Sequence, residues 1–431
     1  MYLEKINGPE DVKKLKIEEL QPLADEVRRA VINRVSKIGG HKGPNLGVVE
    51  MTVALHYVFN SPVDKIVFDV SHQCYPHKIL TGRKEAYLDD DKFSEVTGYT
   101  NPLESKHDLF KVGHTSTSVS LSLGLAVARD LKHTKENIIA VIGDGSLSGG
   151  EALEALDYVG EYKNNLIIIV NDNDQSIAEN HGGLYKNLKK LRMMNGVSNN
   201  NFFKALGFEY HYLDDGHDIK KLVDLFNSVK DTDHPVLLHI HTIKGKGLKY
   251  AEENREAWHS GGPFNIEDGS LKNPVVKDDT VFNSLKELLD TNSKAVVLNA
   301  GTPASLGFTQ DIREEYVNKG KFIDVGIAEE HALVLANAFA IEGAKPFVSI
   351  YSTFLQRGYD EIQQDLARMN GNVVIGIDRA GIVGEDGETH QGLFDVAILN
   401  NIPNIIIMAP HNNKEAANML YTAFKLSLIH I

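Results

Sequence analysis

The chain has 431 residues, 42% hydrophobic and 24% charged, the make-up of a folded protein with room for two or three domains. A net charge of −14 and a pI near 5.7 argue against a nucleic-acid or anionic-membrane surface. Its one cysteine, Cys74, excludes an internal disulfide and suits the cytoplasm; no run reaches membrane-span length, and MYLEKINGPEDVKKL lacks the apolar core of a signal peptide.

Residues 16–38 read as a helix, apolar at Leu20, Leu23, Val27, Val31, Ile32 and Val35 and stopped by Gly39-Gly40. The loop HKGPNLG, from His41, leads into a second helical stretch, VVEMTVALHYVF. KIVFDV at 65–70 reads as a strand and feeds SHQCYPHKILTGR, which carries His72. From Gly113, GHTSTS sets Ser and Thr ahead of an apolar helical run, an ordinary N-cap composition that leaves His114 able to face a ligand. Both His-bearing loops follow Gly-Gly or a strand end, where α/β active sites are built.

The centre of the chain, IIAVIGDGSLSGGEALEALDYVGEYKNNLIIIVNDNDQSI, reads as strand, glycine turn, helix, strand and polar loop. Two apolar strands joined through a helix make a parallel βαβ unit, and ligands bind beyond the carboxyl ends of such strands. Asp144 and Asn173 each follow a strand, about one βαβ unit apart. A carboxylate, an amide carbonyl and a nearby backbone carbonyl, that of Gln175, form a hard oxygen set suited to Mg²⁺. Gly143 and Gly145 allow close backbone approach to a diphosphate, and the following helix N-terminus favours anions. A GDG triplet alone is a common strand-end turn; at this spacing from NDN it resembles the thiamine diphosphate motif.

Residues 181–205 are polar without a strand pattern and are expected to form a mobile loop region. FEYHYLD, a helix from Asp218 to Val229 and VLLHIHTI extend the sheet. Lys244 in IKGKG leaves that last strand and is a candidate phosphate contact, the alternative being a solvated basic turn. The polar stretch 251–279, with its Gly-Gly-Pro, reads as a linker in which His259 is the one chemically interesting residue. A second α/β pattern runs from Asp279 through AVVLNAG, KFIDVG, KPFVSIY, NVVIGID and NIIIMAP, and ends at a helix with no completing strand expected. The expected division is therefore 1–250, a linker at 251–279, and an incomplete domain at 280–431.

GGHKGPNLG, HQCYPHKILTGR, GHTSTS, TIKGKG, DVGIAEEHA, IYSTFLQRGYD and DRAGIVGEDGETHQG, taken with GDG…NDN, resemble the signature runs of the 1-deoxy-D-xylulose-5-phosphate synthase family. The resemblance covers about residues 16–424. It implies an α/β fold of two thiamine diphosphate-type parallel-sheet domains, with the family's third, transketolase C-terminal domain absent and the second domain cut short. It implies a homodimer whose active site lies between the first two domains of one subunit. The implied reaction condenses pyruvate with glyceraldehyde 3-phosphate, with loss of CO₂, for non-mevalonate isoprenoid, thiamine and pyridoxal synthesis; the implied cofactors are thiamine diphosphate and Mg²⁺.

The same resemblance assigns roles. Glu329, with Glu330 beside it, would hydrogen-bond the cofactor's aminopyrimidine; the bland alternative is a helix-dipole Glu. His41 and His390 are proton-transfer candidates, with His259 beside them. His72, Gly113, His114, Ser116, Gly143, Gly145, Ser146, Asn173, Lys244, Phe354 and Arg357 would surround the cofactor, and Tyr351, Arg379 and Asp386 the acceptor. Tyr351 and Phe354 could equally be core packing, and Thr302 stands near a position where relatives carry a different pyrimidine contact. Asp144, Asn173 and Gln175 would hold the metal. Two competing readings are another thiamine diphosphate enzyme, such as a transketolase or a pyruvate dehydrogenase component, and a non-catalytic remnant of the fold.

Overall fold

The run Leu-Ile-Ile-Ile-Val has no polar position, because both faces of its strand are covered. The computed structural model describes residues 1–274, 278–384 and 387–426 and the backbone of Ile429–His430. They form two compact units, Met1–Pro274 and Val275–Ile431.

In the first unit, β1 (Lys65–Phe68), β2 (Ile138–Gly143), β3 (Leu166–Asp172), β4 (Glu209–Leu213) and β5 (Pro235–His241) form one sheet. The order is β1-β2-β3-β5-β4, and every pairing is parallel. Around it lie α1 (Leu20–Ile38), α2 (Val49–Val58), α3 (Ser118–Leu131), α4 (Gly150–Val159), α5 (Gly183–Met193) and α6 (Ile219–Val229). Strand side chains alternate between the two faces. Ile139, Val141, Ile167 and Ile169 join the core under α1, α2 and α6. Ile138, Ala140, Ile142, Ile168 and Val170 join the core under α3, α4 and α5. This two-sided cover fixes the register, so the strands' carboxyl ends converge on one edge.

Two stretches differ from the sequence expectation. Helix α5 occupies much of the region expected to be a mobile loop. Its Tyr185, Leu188 and Leu191 are buried at three-residue spacing, a stripe masked in sequence by Lys186, Lys189, Lys190 and Arg192. The expected linker is folded onto the first unit as far as Pro274. It begins in α7 (Lys249–Glu253), and its Ser260–Gly261 pairs antiparallel with Gly40–His41. Phe264 is fully buried beyond that pairing.

The second unit carries β6 (Ala295–Asn299), β7 (Phe322–Asp324), β8 (Lys345–Tyr351), β9 (Val374–Asp378), β10 (Ile405–Ile406) and β11 (Ile429–His430). They form a parallel sheet in the order β10-β11-β9-β8-β6-β7. A strand therefore does follow the last helix, inserted between β9 and β10, where none was expected. Helix α8 (Thr280–Thr291) and helix α10 (Asn413–Leu426) cover one face; α9 (Glu329–Ile341) packs Ala332, Leu333 and Ala336 against Val348 and Ile350 on the other. Among the described residues no helix is long and apolar enough to cross a membrane.

Candidate active site

At the carboxyl edge of the first sheet, β2 and β3 pair in register up to Gly143 and Asn171, so Asp144 and Asn173 leave adjacent strand ends. Asp144 is 2% exposed. Its Oδ2 accepts from the Gln175 backbone N–H at 3.0 Å and from Asn180 Nδ2 at 2.9 Å. Burial, and then the negative charge of Asp172, push its carboxyl well above the usual carboxylate range. Asn173 Oδ1 is buried with no hydrogen-bond partner among the described residues. A buried carboxyl group and an orphaned carbonyl oxygen on neighbouring strand ends are groups that a hard divalent cation satisfies. The donor set therefore fits Mg²⁺.

The surrounding turns are built for close approach. A Cβ on Gly145 would lie 2.7 Å from Ser176 Cβ, so only glycine fits against that turn. Ser116 Oγ donates to the Ser146 carbonyl at 2.9 Å, joining the GHTSTS turn to the GDG turn. Gly113 is buried and His114 half-buried in the same turn. Gly143 has open space where its Cβ would be. Lys244 is 1% exposed and donates to the Ser176 carbonyl. Burial pulls its ammonium down to about 7.

Three histidine rings meet beside this edge. Ring centroids are 5.0 Å apart for His41 and His72, 5.6 Å for His41 and His259, and 5.4 Å for His72 and His259. Burial, then the positive charge of Lys244, keeps the His259 pKa well below the ordinary imidazole value. Its Nδ1 is buried without a hydrogen-bond partner among the described residues. His77, Lys78 and Arg83 of the same motif do not join them. They are taken up in a buried network with Asp108 and Glu104, in which Asp108 is met by Arg83 at 2.7 Å and by His77 at 3.1 Å.

Several positioning residues were not singled out from sequence. Asn45 Nδ2 donates to the carbonyls of His41 at 2.8 Å and His72 at 2.7 Å, while its Oδ1 accepts from Tyr75 N at 2.8 Å. One side chain thus ties both histidine loops together. Asp69, fully buried, accepts from the N–H groups of Ser116 at 2.9 Å and Ser118 at 3.0 Å and so fixes the GHTSTS turn. Asp172 accepts from Arg192 of α5 at 2.5 Å and lies 2.7 Å from His239 Nε2. Burial raises its pKa, but the His239 and Arg192 contacts outweigh this and hold it near 2. Val70 and Ser71 adopt φ of 56° and 66°, strained backbone immediately before His72. Only the Asn and Asp residue types in loops hinted at these roles; their partners are distant in sequence.

In the second unit, Glu329 opens α9 and is 3% exposed. Burial raises its carboxyl to about 7, partly opposed by the Arg357 charge. Glu330 is only half-buried. Tyr351 stacks on Phe354 at 5.5 Å, His390 meets Phe354 edge-on at 5.5 Å, and the Arg379 guanidinium sits 4.4 Å over Tyr351. The structure thus brings Tyr351, Phe354, Arg379 and His390 into one aromatic and cationic row. Thr302 is buried, its N–H donating to Asn299 Oδ1 at 2.8 Å. Asp386 lies outside the described residues.

Comparison with known proteins gives a consistent result. The family profile described as 1-deoxy-D-xylulose-5-phosphate synthase matches residues 3–199 and 191–242. The profile of the transketolase pyrimidine binding domain matches 279–428. The chain is 43% identical to the 1-deoxy-D-xylulose-5-phosphate synthase of Caldanaerobacter subterraneus subsp. tengcongensis, over 97% of this chain and 73% of that one. It is 45% identical to that of Listeria monocytogenes serotype 4b, over 97% and 70%. Among solved structures, a transketolase from Campylobacter jejuni aligns with a TM-score of 0.49 at 20% identity, covering 96% of this chain and 78% of that one.

Proposed function

The chain belongs to the 1-deoxy-D-xylulose-5-phosphate synthase family, and on that premise we propose how its residues divide the work. The family reaction joins the two-carbon unit of pyruvate to glyceraldehyde 3-phosphate with release of CO₂, in isoprenoid precursor synthesis. Thiamine diphosphate, when bound, supplies the electron sink for breaking and making the carbon–carbon bonds. Everything else is left to side chains and backbone.

Asp144, Asn173 and the Gln175 carbonyl would hold Mg²⁺, whose charge would offset that of a bound diphosphate. The observation that carries this is the orphaned Asn173 Oδ1 on the strand end next to that of the buried Asp144. Lys244, His72, Ser146 and the backbone around Gly113, His114, Ser116, Gly143 and Gly145 add donors to the same diphosphate. Because the protein is acidic overall, that local arrangement, rather than a basic surface, draws the anion in. In the second unit, Glu329 hydrogen-bonds the aminopyrimidine. A carboxyl near 7 can share a proton there instead of remaining a fixed anion. Phe354, backed by Tyr351, gives the pyrimidine a flat apolar surface, and Arg357 moderates the charge of Glu329. Arg379 and Tyr351, with Asp386, serve the phosphorylated acceptor.

Neutral imidazoles can accept protons near pH 7, which suits His41 and His390 to moving them during the reaction, while His259, whose pKa burial holds well below the ordinary imidazole value, stays neutral beside His41. In this reading the first unit, with residues 251–274 folded onto it, serves the diphosphate and the second serves the pyrimidine. The working protein is a cytoplasmic homodimer. The test is CO₂ release from pyruvate, measured with and without glyceraldehyde 3-phosphate and with and without Mg²⁺. Acceptor-stimulated, Mg²⁺-dependent release is expected; release indifferent to the acceptor would point to a different thiamine diphosphate reaction.

A further inference from the structure

Residues 258–264 lie as a strap across residues 39–43. The N–H of Lys42 donates to the His259 carbonyl at 3.0 Å, and that of Gly43 to the Trp258 carbonyl at 2.9 Å. Further along, the Phe264 N–H donates to the Ser36 carbonyl at 3.0 Å. Only two residue pairs of true sheet support this, Gly40 with Gly261 and His41 with Ser260. Such a short ladder is a weak fastening by itself. The strap nonetheless presents His259 to His41 and His72.

Lys42 supplies what the ladder lacks. Its side chain is 2% exposed, and its Nζ lies 4.9 Å from the Trp258 ring centre and 5.0 Å from that of Phe264. The two rings meet edge to face at 4.8 Å and 88°, forming a corner around the ammonium. Tyr250 stacks on the far side of Trp258 at 5.8 Å. Among the described residues no carboxylate makes an ion pair with Lys42. A buried cation needs compensation, and here the π faces provide it; cation–π attraction is strongest when desolvated. Burial lowers the ammonium to about 8, so it remains a cation at neutral pH.

The geometry points to Lys42 as a positioning residue. Its cation, seated in the Trp258–Phe264 corner, latches the strap and keeps His259 in the three-histidine cluster. The consequence for turnover rests on the proposed proton-moving role of that cluster; the latch itself does not.

Trp258 is the only tryptophan in the chain, so its fluorescence reports the strap directly. The experiment compares acrylamide quenching of the 431-residue chain with that of Lys42→Met, Lys42→Arg and Phe264→Leu. Methionine keeps the unbranched stem without the charge, arginine restores a stacking cation, and Phe264→Leu removes one π face while keeping apolar bulk. The expected result is at least a twofold rise in the quenching constant for Lys42→Met and Phe264→Leu, and a return toward the parent value for Lys42→Arg. Quenching unchanged in Phe264→Leu, or a Lys42→Arg chain as exposed as Lys42→Met, overturns the latch. If Lys42→Met does not fold, the Phe264→Leu and Lys42→Arg pair decides. The kinetic companion is a KM-against-kcat comparison of the same variants with pyruvate. Loosened fluorescence with unaltered kinetics would leave the latch standing and remove His259 from the reaction.

Discussion

The sheet edges of the two units are built differently. At the edge of the first sheet, polar groups are gripped by other polar groups. Asn45 ties two loops, Asp69 fixes a turn, and Asp172 with Arg192 and His239 braces the end of β3. The second unit offers a deeply buried carboxyl, Glu329, and a row of stacked rings ending in Arg379. A charged diphosphate and a cation need many fixed dipoles, because unpaired charge in a buried site is costly. A flat heterocycle needs apolar faces and one well-chosen proton site. Under the proposed division of work, holding and activating the cofactor can be disabled separately.

The largest expected effect is at Glu329. Glu329→Gln should lower kcat by about 100- to 10,000-fold, the usual range for a lost acid–base group, and abolish exchange of the thiazolium C2 proton. Affinity for Mg²⁺ and thiamine diphosphate should stay nearly unchanged. C2 exchange at the parent rate would move the role elsewhere, with Glu330 the next candidate.

Glu329 also gives the second unit a pH signature. Its folded-state carboxyl is near 7 against an ordinary 4.5, so the folded form retains a proton that the unfolded chain gives up. That contribution is fully present below pH 4.5 and is lost as pH rises through 7. The change amounts to about 3 kcal/mol at most across the window. Urea unfolding of the cofactor-free chain should show this fall, and Glu329→Gln should flatten it. Parallel pH profiles for the two chains would mean that Glu329 is not held protonated.

A smaller effect is expected from the braces of the first unit. Asp172→Asn keeps the shape of the side chain but removes the charge that Arg192 and His239 grip. It should weaken metal affinity by about 10- to 100-fold, as loss of supporting contacts around metal ligands generally does. Calorimetric titration with Mg²⁺ in the presence of thiamine diphosphate measures this, and parent affinity would show that the brace is not needed.

Much of the first unit was legible from residues alone, because its signals are local. GDG and NDN announce themselves as strand ends, and buried runs such as LIIIV mark a covered parallel sheet. Glu329 stood out because DVGIAEEHA resembles a signature run of the family and fixes its register; its place at a strand-to-helix corner fits a helix-dipole Glu equally well. The supporting residues were not legible. Nothing near Asn45 in the chain says that it will reach His72, and nothing near Arg192 says that it will reach Asp172. Helix α5 was missed because basic residues interrupt its apolar stripe. The polar stretch 251–279 reads as a linker because the contacts that fasten its first part to the rest of the unit, such as Trp258 with Lys42, are distant in sequence. Composition reads a segment's own polarity, not the partner that will cover it.

The central claim is that Asp144 and Asn173 together hold the cation. Mn²⁺, which accepts the same oxygen ligands as Mg²⁺, makes this directly observable by electron paramagnetic resonance. Free Mn²⁺ should be titrated in the presence of thiamine diphosphate against the parent chain, Asn173→Ala, Asp144→Ala and Glu329→Gln. The account predicts that both strand-end variants bind Mn²⁺ at least about tenfold more weakly, while Glu329→Gln binds it like the parent. Parent-like Mn²⁺ binding by Asn173→Ala and Asp144→Ala would contradict it.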